Sequence, residues 1–394
     1  MKNNYHFSDR ISDVPRSFIR EILKVAISKD VISFAGGLPN RDLFPIENLK
    51  EASCKVFDKY GSDALQYSNS EGFIDLRKFI AEWYKNKKGL DISTDNILIT
   101  NGSQQGLDLL GKIFLNEKDD VIIEEPGYLG AIQAFSVYRA KFHPVKLEKD
   151  GLNPEELSYA LKYSDSKLMY LVPNFQNPSG ISYSEEKRRE IAGLIKGKGI
   201  YVVEDDPYGE LNYSGRKNTG FKHFLPDQTI MLGTFSKTVV PAFRIGWIIA
   251  PDEIMDKLII AKQAADLHTN SFTQMLIYEH LINNNIEDHI KKINDLYGKQ
   301  LKAMLNCIKE YFPAGVDFTE PEGGMFMWVS LPENCAAMRL FEIAIKQNVA
   351  FVPGDPFYTN RKNTNTLRLN FSCVDETTIE TGIKRLAGAI KQII

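Results

Sequence analysis

Apolar residues change their spacing along this chain near residue 96. Before that point they recur three or four residues apart, which predicts amphipathic helices over residues 17–29, 46–60 and 73–86. After it, short apolar runs alternate with longer amphipathic segments. The chain is therefore predicted to begin with helices and to continue as an alternation of strands and helices.

The short apolar runs predict the strands of one sheet, over residues 97–100, 121–124, 141–147, 168–172, 200–204, 229–232 and 245–250. Helices are predicted between several of them, over residues 104–115, 128–138 and 185–196. Such alternation predicts an α/β fold, with a mostly parallel sheet covered by helices on both faces. Ligands of these sheets bind at the carboxyl ends of the strands, so the residues that follow each run are the candidates for chemistry.

The rest of the chain predicts a second, smaller unit. Helices over residues 251–266, 271–282 and 286–311 lead into an α+β segment with strands at 325–330, 349–352 and 366–371. We expect a large domain at residues 46–295 and a small C-terminal domain at 296–394, with residues 1–45 packing on the small domain. Two lobes suit a length of 394 residues, which exceeds one typical core.

Composition narrows the function classes. With 43% hydrophobic and 25% charged residues the chain is typical of a globular protein, and a formal net charge of −3 gives no basic surface for nucleic acid or an anionic membrane. The N-terminus is polar and no apolar run is as long as a membrane span. The cysteines lack metal-ligand spacing. We expect a cytoplasmic protein that uses no metal and acts on small metabolites.

Lys237 lies between hydroxyl residues directly after a predicted strand, and Arg244 follows before the next one. Lysine amines form Schiff bases with carbonyl compounds, while hydroxyls and arginine hold phosphate through charge-assisted hydrogen bonds. A carbonyl and a phosphate on one ligand suggest pyridoxal 5'-phosphate. The alternative is a surface loop with ordinary basic residues, and the short Ser-Lys-Thr motif does not separate the two.

Two other strand ends carry residues suited to such a ligand. After residues 97–100, Ser103 and Gln104 open a helix whose free backbone amides can bind an anion, although Ser103 is equally typical of a plain helix N-cap. Tyr128 follows residues 121–124 and could stack on a flat ring or fill the core.

Two further strand ends offer an amide and carboxylates. Asn177 follows residues 168–172 within Asn-Pro-Ser-Gly, which is also good turn chemistry. Asp205, Asp206 and Tyr208 follow residues 200–204, where a solvated acidic turn is the alternative. Together these strand ends supply the different groups that one cofactor needs, and no glycine-rich phosphate motif follows a strand to compete with them.

These motifs resemble the fold-type I pyridoxal-phosphate aminotransferases of class I/II, over essentially the whole chain. The resemblance rests on residues 34–39 (FAGGLP), 66–68 (QYS), 100–105 (TNGSQQ), 177–180 (NPSG), 204–208 (EDDPY), 236–237 (SK) with Arg244, 323–326 (GGMF) and 367–371 (LRLNF). Residues 17–23 and 264–269 are most similar to the 2-aminoadipate (kynurenine/aminoadipate) branch.

The resemblance implies a role for each candidate. Lys237 would carry the cofactor, and Tyr128 would stack on its ring. Asp205 rather than Asp206 would pair with the ring nitrogen, because the family places that aspartate three residues before Tyr208. Asn177 and Tyr208 would hydrogen-bond the phenolic oxygen. The residues implied to hold the phosphate are Ser103, Gln104, Thr234, Ser236 and Arg244.

The substrate and the quaternary structure follow from the same resemblance. Arg368 would bind the α-carboxylate, helped by Gly37 and Asn177, and Tyr67 would reach the phosphate of a neighbouring subunit in a homodimer with shared active sites. The implied reaction moves an amino group between an L-amino acid (2-aminoadipate, glutamate, leucine-like or aromatic) and a 2-oxo acid such as 2-oxoglutarate. Arg20 is a hypothetical partner for a distal carboxylate; the alternative is a solvated arginine on a helix face.

Two other functions are compatible with the same fold. A lyase or decarboxylase would keep the cofactor and change the reaction, but Arg368 and the 2-aminoadipate-like segments favour transamination. A non-catalytic effector domain of a transcription regulator would require a DNA-binding extension, and the chain begins directly with the aminotransferase pattern.

Overall fold

The computed structural model of the protein describes residues 7–12, 14, 22, 30–216 and 219–394. Except for Ile22, the helix predicted over residues 17–29 lies outside these residues, and so does Arg20. Both stay predictions.

The helices follow in chain order as α1 Asp9–Ser12, α2 Ile46–Tyr60, α3 Ile74–Lys88, α4 Ser103–Phe114, α5 Leu129–Ser136, α6 Pro154–Tyr163, α7 Glu185–Ile195, α8 Phe221–Phe224, α9 Asp252–Asp266, α10 Ser271–Asn283, α11 Ile286–Tyr311, α12 Ala337–Lys346 and α13 Glu376–Ile390. Short 3-10 helices lie at Arg41–Leu43, Gly61–Leu65, Thr94–Asn96 and Asp355–Phe357.

The strands are β1 Ile32–Ser33, β2 Ile97–Thr100, β3 Asp120–Glu125, β4 Lys141–Glu148, β5 Gly151–Leu152, β6 Leu168–Leu171, β7 Tyr201–Asp205, β8 Thr229–Thr234, β9 Gly246–Ile249, β10 Asp317–Phe318, β11 Phe326–Ser330, β12 Val349–Ala350, β13 Val352–Pro353 and β14 Thr366–Asn370. Each strand predicted between residues 97 and 250 is present, with its ends shifted by no more than two residues.

Among the described residues, eight strands form the large sheet in the order β2-β9-β8-β7-β6-β3-β4-β5. The strands from β8 to β4 pair in parallel, whereas β9 is antiparallel to both of its neighbours and β5 is antiparallel to β4. The predicted mostly parallel α/β sheet is confirmed. Residues 235–245 join β8 to β9 directly, without the crossover helix that a parallel pair needs, so this loop begins and ends at the same edge of the sheet.

Helices cover the large sheet on both faces, and strand β2 shows how the sequence accommodates this. Leu98 belongs to a buried cluster with Leu110 of α4, while its neighbours Ile97 and Ile99 belong to another cluster with Leu76 of α3. Side chains alternate between the two faces of a strand, so a strand buried on both faces must be apolar at every position. This is why the central strands appear in the sequence as unbroken apolar runs.

A second sheet lies in the C-terminal part, in the order β10-β11-β14-β13, and all of its pairs are antiparallel. The single strand predicted over residues 349–352 is wrong: Val349 pairs with Ile32 of β1, whereas Val352 pairs with Arg368 of β14. Because the two halves join different partners, the chain forms two short strands there.

The predicted boundary at residue 296 lies inside the continuous helix α11. The division of the chain into a large and a small domain therefore stays a prediction. Within the described ranges, no helix combines the length and the apolar character that crossing a membrane requires.

Candidate active site

A pocket of about 390 Å³ opens where β3, β6, β7 and β8 end and α4 begins. Its walls contain twelve of the predicted site residues: Gly37, Ser103, Gln104, Tyr128, Asn177, Asp205, Tyr208, Thr234, Ser236, Lys237, Arg244 and Arg368. Tyr170, Val172, Pro207 and Phe326 complete the walls and were not predicted as site residues.

Tyr67 lies outside this pocket. Its side chain is 80% exposed, and its ring meets that of His268 edge to face, with the ring centroids 5.9 Å apart. Arg20, the remaining predicted residue, is outside the described part of the chain.

Lys237 lies in the loop that joins β8 to β9, and its amine points into a desolvated environment. The Nζ atom donates a hydrogen bond to the carbonyl oxygen of Gly37 at 2.9 Å. Burial lowers the pKa of Lys237 to about 8, and the positive charges of Arg368 and Arg244 act in the same direction. Roughly a tenth of this amine is therefore uncharged at pH 7, far more than for an ordinary lysine, and the uncharged form is the one that a nucleophile or a base requires.

Hydroxyl groups and Arg244 cluster at the start of helix α4. The Oγ1 atom of Thr234 lies 2.9 Å from the Oγ atom of Ser236, which in turn lies 3.5 Å from Nη1 of Arg244. The N-cap of α4 is Gly102, and no side chain caps this end, so Ser103 is not the plain N-cap considered as an alternative. The exposed amides of a helix N-terminus, together with a guanidinium and hydroxyls, form a favourable environment for an anion.

Gly102 allows Arg244 to approach this helix terminus. Its φ is +74°, and a Cβ atom added there would lie 2.5 Å from Nη2 of Arg244. Nη2 itself donates to the carbonyl oxygen of Asn101 at 3.3 Å. A larger residue at position 102 would therefore be strained and would displace the guanidinium.

Asp205, the last residue of strand β7, and Asp206, the residue after it, have different surroundings. Asp205 is buried, and its Oδ2 atom accepts a hydrogen bond from the hydroxyl of Tyr170 at 2.7 Å. Its Oδ1 atom is buried without a hydrogen-bond partner among the described residues. Asp206 instead accepts from the side-chain amide of Asn174 at 2.9 Å and lies 3.8 Å from Nζ of Lys88. Only Asp205 is part of the pocket wall.

Burial also changes the titration of Asp205, because a charged carboxylate loses its hydration there. Desolvation raises the pKa of Asp205 to about 7, while the hydrogen bond from Tyr170 acts in the opposite direction. An unpartnered oxygen on a buried carboxylate is costly, so it favours a ligand that brings a donor or a positive charge to this point.

Arg368 lies on β14 and is 3% exposed. Its Nη1 atom donates to Oδ1 of Asn177 and its Nη2 atom to the carbonyl oxygen of Ala35, both at 2.8 Å. The guanidinium carbon lies 4.3 Å from the centroid of the Phe326 ring, which supports the flat group from one side. Burial lowers the pKa of Arg368 to about 10, so the side chain stays charged at neutral pH and can bind a carboxylate.

The remaining wall residues are aromatic or amide groups. Nδ2 of Asn177 donates to the hydroxyl oxygen of Tyr208 at 3.3 Å. Tyr128 stacks beside Tyr170, with the ring planes 26° apart and the centroids separated by 6.4 Å. The pocket thus combines a reactive amine, an anion site, a buried carboxylate, a guanidinium and flat ring surfaces.

Among the four wall residues that sequence reasoning missed, Tyr170 is the one that contacts Asp205. It lies inside an apolar run, where a tyrosine usually fills the core. Its type and position could have indicated a role. The hydroxyl of a buried tyrosine usually has a hydrogen-bond partner, and Tyr170 lies near the end of β6, just before the loop that contains Asn177.

Comparison with known proteins agrees with this geometry. The family model for aminotransferase class I and II matches residues 29–386, so the chain belongs to that family. It is a pyridoxal-phosphate-dependent aminotransferase, of the fold class predicted from the sequence.

Three relatives illustrate the range of similar proteins. The aromatic-amino-acid aminotransferase 1 of Thermococcus litoralis is 42% identical over 98% of this chain and 94% of its own length. The α-aminoadipate aminotransferase of Thermus thermophilus, complexed with N-(5'-phosphopyridoxyl)-L-leucine, is 38% identical with a TM-score of 0.92. The kynurenine aminotransferase of Pyrococcus horikoshii, in complex with PMP, is 43% identical with a TM-score of 0.93. Both structures cover 98% of this chain and 97% of their own.

Replacing Gly102 by alanine tests the anion site. We expect Gly102→Ala to weaken pyridoxal phosphate binding at least about tenfold, because the added methyl group occupies the position of the Arg244 guanidinium. The dissociation constant is measured by titrating apoenzyme with the cofactor.

Gly89→Ala is the matched control for this prediction. Gly89 has a similar φ of +67°, but an added Cβ would have no neighbour within 4 Å. Its substitution should reduce stability by a similar amount and leave cofactor affinity unchanged. Equal affinities in the two variants would contradict the prediction.

Proposed function

We propose that this aminotransferase acts on aromatic, 2-aminoadipate and leucine-like amino donors, or on glutamate, and passes the amino group to a 2-oxo acid such as 2-oxoglutarate. One observation carries the proposal: the half-buried Lys237 amine and the buried Arg368 guanidinium line the same pocket as the Arg244 anion site. The names of the relatives, which include aromatic amino acid, α-aminoadipate and kynurenine aminotransferases, support this range of donors.

The groups in the pocket fit pyridoxal phosphate. The cofactor carries a phosphate for the Arg244 cluster, an aldehyde for the Lys237 amine and a ring nitrogen that can supply the missing partner of Asp205 Oδ1. Bound there, it withdraws electrons from the α-carbon of the amino acid substrate and so makes the proton on that carbon removable.

The polar wall residues would hold the cofactor, each with a different part of the ligand. Asp205 would pair with the ring nitrogen, Tyr128 would stack on the ring, and Asn177 and Tyr208 would donate to the phenolic oxygen. The phosphate would be held by Ser103, Gln104, Thr234, Ser236 and Arg244.

Lys237 and Arg368 would act on the substrate. Arg368 would bind the α-carboxylate and so fix the orientation of the α-carbon, with Asn177 and Gly37 beside it. The Lys237 amine, with a pKa of about 8, can accept the α-proton near neutral pH and return it later. Both groups are desolvated, so a single bound anion between them lowers the cost of burying their charges.

We further propose a homodimer in which Tyr67 completes the site of the neighbouring subunit. The 80% exposure of Tyr67 and its position outside the pocket of its own chain support this arrangement, since the side chain is free to reach a partner. The location in the cytoplasm stays a prediction.

Lys237→Ala tests the assignment of the reactive amine. We expect this variant to lose transamination by at least about three orders of magnitude, because the site loses both its covalent anchor and its base. The absorbance of lysine-bound cofactor should disappear as well. Lys257→Ala, at an exposed position of α9, should retain activity. Turnover by Lys237→Ala near the parent rate would overturn the assignment.

Asp205→Asn and Asp206→Asn form a matched pair that tests the ring-nitrogen partner. Removing one member of a buried charge pair costs roughly 3–5 kcal/mol, so we expect Asp205→Asn to reduce kcat/KM by about two to four orders of magnitude. Asp206 faces Lys88 outside the pocket wall, so Asp206→Asn should stay within about tenfold of the parent. Equal losses would mean that the role of Asp205 is wrong.

A donor panel with 2-oxoglutarate tests the substrate range. We expect turnover with 2-aminoadipate, leucine and aromatic donors, detected as formation of glutamate. If Arg20 contacts a distal carboxylate, Arg20→Ala should reduce kcat/KM for the acidic donors more than for the aliphatic and aromatic donors. Unchanged selectivity would remove Arg20 from the proposal, and product formation without glutamate would indicate a lyase or decarboxylase instead.

A further inference from the structure

We propose that Tyr170 is a positioning residue that holds the Asp205 carboxylate in the orientation that leaves one oxygen free for the ring nitrogen of the cofactor. The inference rests on the role proposed above for Asp205 and adds a residue that acts through it. The contact between the two side chains is a hydrogen bond of 2.7 Å from the Tyr170 hydroxyl to Oδ2 of Asp205.

The pairing of two neighbouring strands creates this contact. Strands β6 and β7 are parallel, and Tyr170 pairs with Val203. Asp205 lies two residues after Val203, so its side chain emerges on the same face of the sheet as that of Tyr170. Diagonal neighbours of this kind are within reach of a long aromatic side chain.

Tyr170 is itself held firmly. It is fully buried, its ring stacks beside Tyr128, and Phe135 of α5 packs against it edge to face with the centroids 6.3 Å apart. The hydroxyl therefore approaches Asp205 from a fixed direction. Rotation of the carboxylate would break a hydrogen bond between two buried groups, which is costly.

The hydrogen bond uses one oxygen of Asp205 and leaves the other without a partner. Oδ1 is buried and has no hydrogen-bond partner among the described residues, and Asp205 lines the pocket. A carboxylate with one satisfied and one unsatisfied oxygen is prepared for a single incoming donor. The protonated ring nitrogen of pyridoxal phosphate is such a donor.

The Tyr170 hydroxyl also influences whether the Asp205 carboxyl is charged, because other groups near Asp205 favour its neutral form. The ionisable groups that influence it are Tyr170 itself, Tyr128, Tyr208, Glu124 and Asp206. Burial, Asp206 and Glu124 favour the neutral carboxyl, while the Ser103 hydroxyl and, more strongly, the Tyr170 hydroxyl favour the charged form. Without that hydroxyl the carboxyl should remain protonated to a higher pH, and a neutral carboxyl no longer pairs with a ring cation.

Tyr170→Phe in the holoenzyme tests the proposal directly. We expect the dissociation constant of pyridoxal phosphate to rise about tenfold near pH 7, since a hydrogen bond to a charged group is lost. The ratio of variant to parent should grow as the pH falls and shrink as it rises, because protonation of Asp205 removes its attraction for the ring. The pH dependence of the absorbance of the bound cofactor should shift in parallel.

Tyr183→Phe is the matched control. Tyr183 is also fully buried and donates to a buried carboxylate, Oε1 of Glu124, at 2.7 Å, but it does not line the pocket. Both variants should lose similar thermal stability. Only Tyr170→Phe should change the pH dependence of cofactor affinity, which a purely structural loss would not alter.

A double-mutant cycle separates this inference from the role of Asp205. If Tyr170 acts through Asp205, the double variant should bind the cofactor as tightly as Asp205→Asn alone, because the second substitution has nothing further to remove. Parent-like affinity in Asp205→Asn would refute the role of Asp205 itself. Two outcomes would overturn only the inference about Tyr170. In both, Asp205→Asn binds the cofactor weakly; in the first, Tyr170→Phe keeps the parent affinity, and in the second, the losses of affinity in the two single variants add up in the double variant.

A second variant keeps the proposal testable if Tyr170→Phe does not yield folded holoenzyme. Tyr170→His retains a ring and an N–H donor, so its cofactor affinity should lie closer to the parent than to Asp205→Asn. An affinity as low as that of Asp205→Asn would count against Tyr170 as a hydrogen-bond donor to the carboxylate.

Discussion

The burial of like charges is the constraint on which this pocket depends. Lys237 and Arg368 are desolvated together, and the positive charge of Arg368 helps to lower the pKa of Lys237. Arg244 adds a third cation at the start of α4. Such an arrangement is costly without counter-charges, and the buried carboxylate of Asp205 is the acidic group within the described pocket wall. The phosphate and carboxylate groups of the ligands therefore complete the electrostatics of the site.

The large sheet makes this concentration of charge possible. Its central strands are apolar for most of their lengths, and the polar groups that line the pocket lie at or after the strand ends, which brings them together at one edge of the sheet. The antiparallel strand β9 is important because it returns the Lys237 loop to the edge from which it left, with Thr234 paired with Gly246. The amine and the Arg244 cluster are consequently held by one short loop between two buried strands.

Sequence reasoning could predict the strands and the residues after them, because unbroken apolar runs and the residue types that follow them are local properties of the sequence. Helices α2 and α11 have the predicted bounds, and the aspartate on the pocket wall is the one that the family spacing implied. Helix α6 was missed although its start is well marked, with Asn153 as N-cap and Pro154 in the first turn. The contact between Tyr170 and Asp205 could not be predicted, because it depends on the register of strands that are distant in sequence.

Residues 34–37, which precede the large sheet, contact both Lys237 and Arg368 through their backbone carbonyl oxygens. The carbonyl oxygen of Ala35 accepts from Arg368, that of Gly37 accepts from Lys237, and that of Phe34 accepts from the backbone of Asn370 at 2.8 Å. In the absence of substrate these carbonyl oxygens partly offset the desolvation of the two cations. An arriving α-carboxylate competes with weaker, neutral acceptors, so binding exchanges carbonyl contacts for charge-assisted ones. Because one short segment supplies both carbonyls, a change in its position alters substrate binding and the reactive amine together.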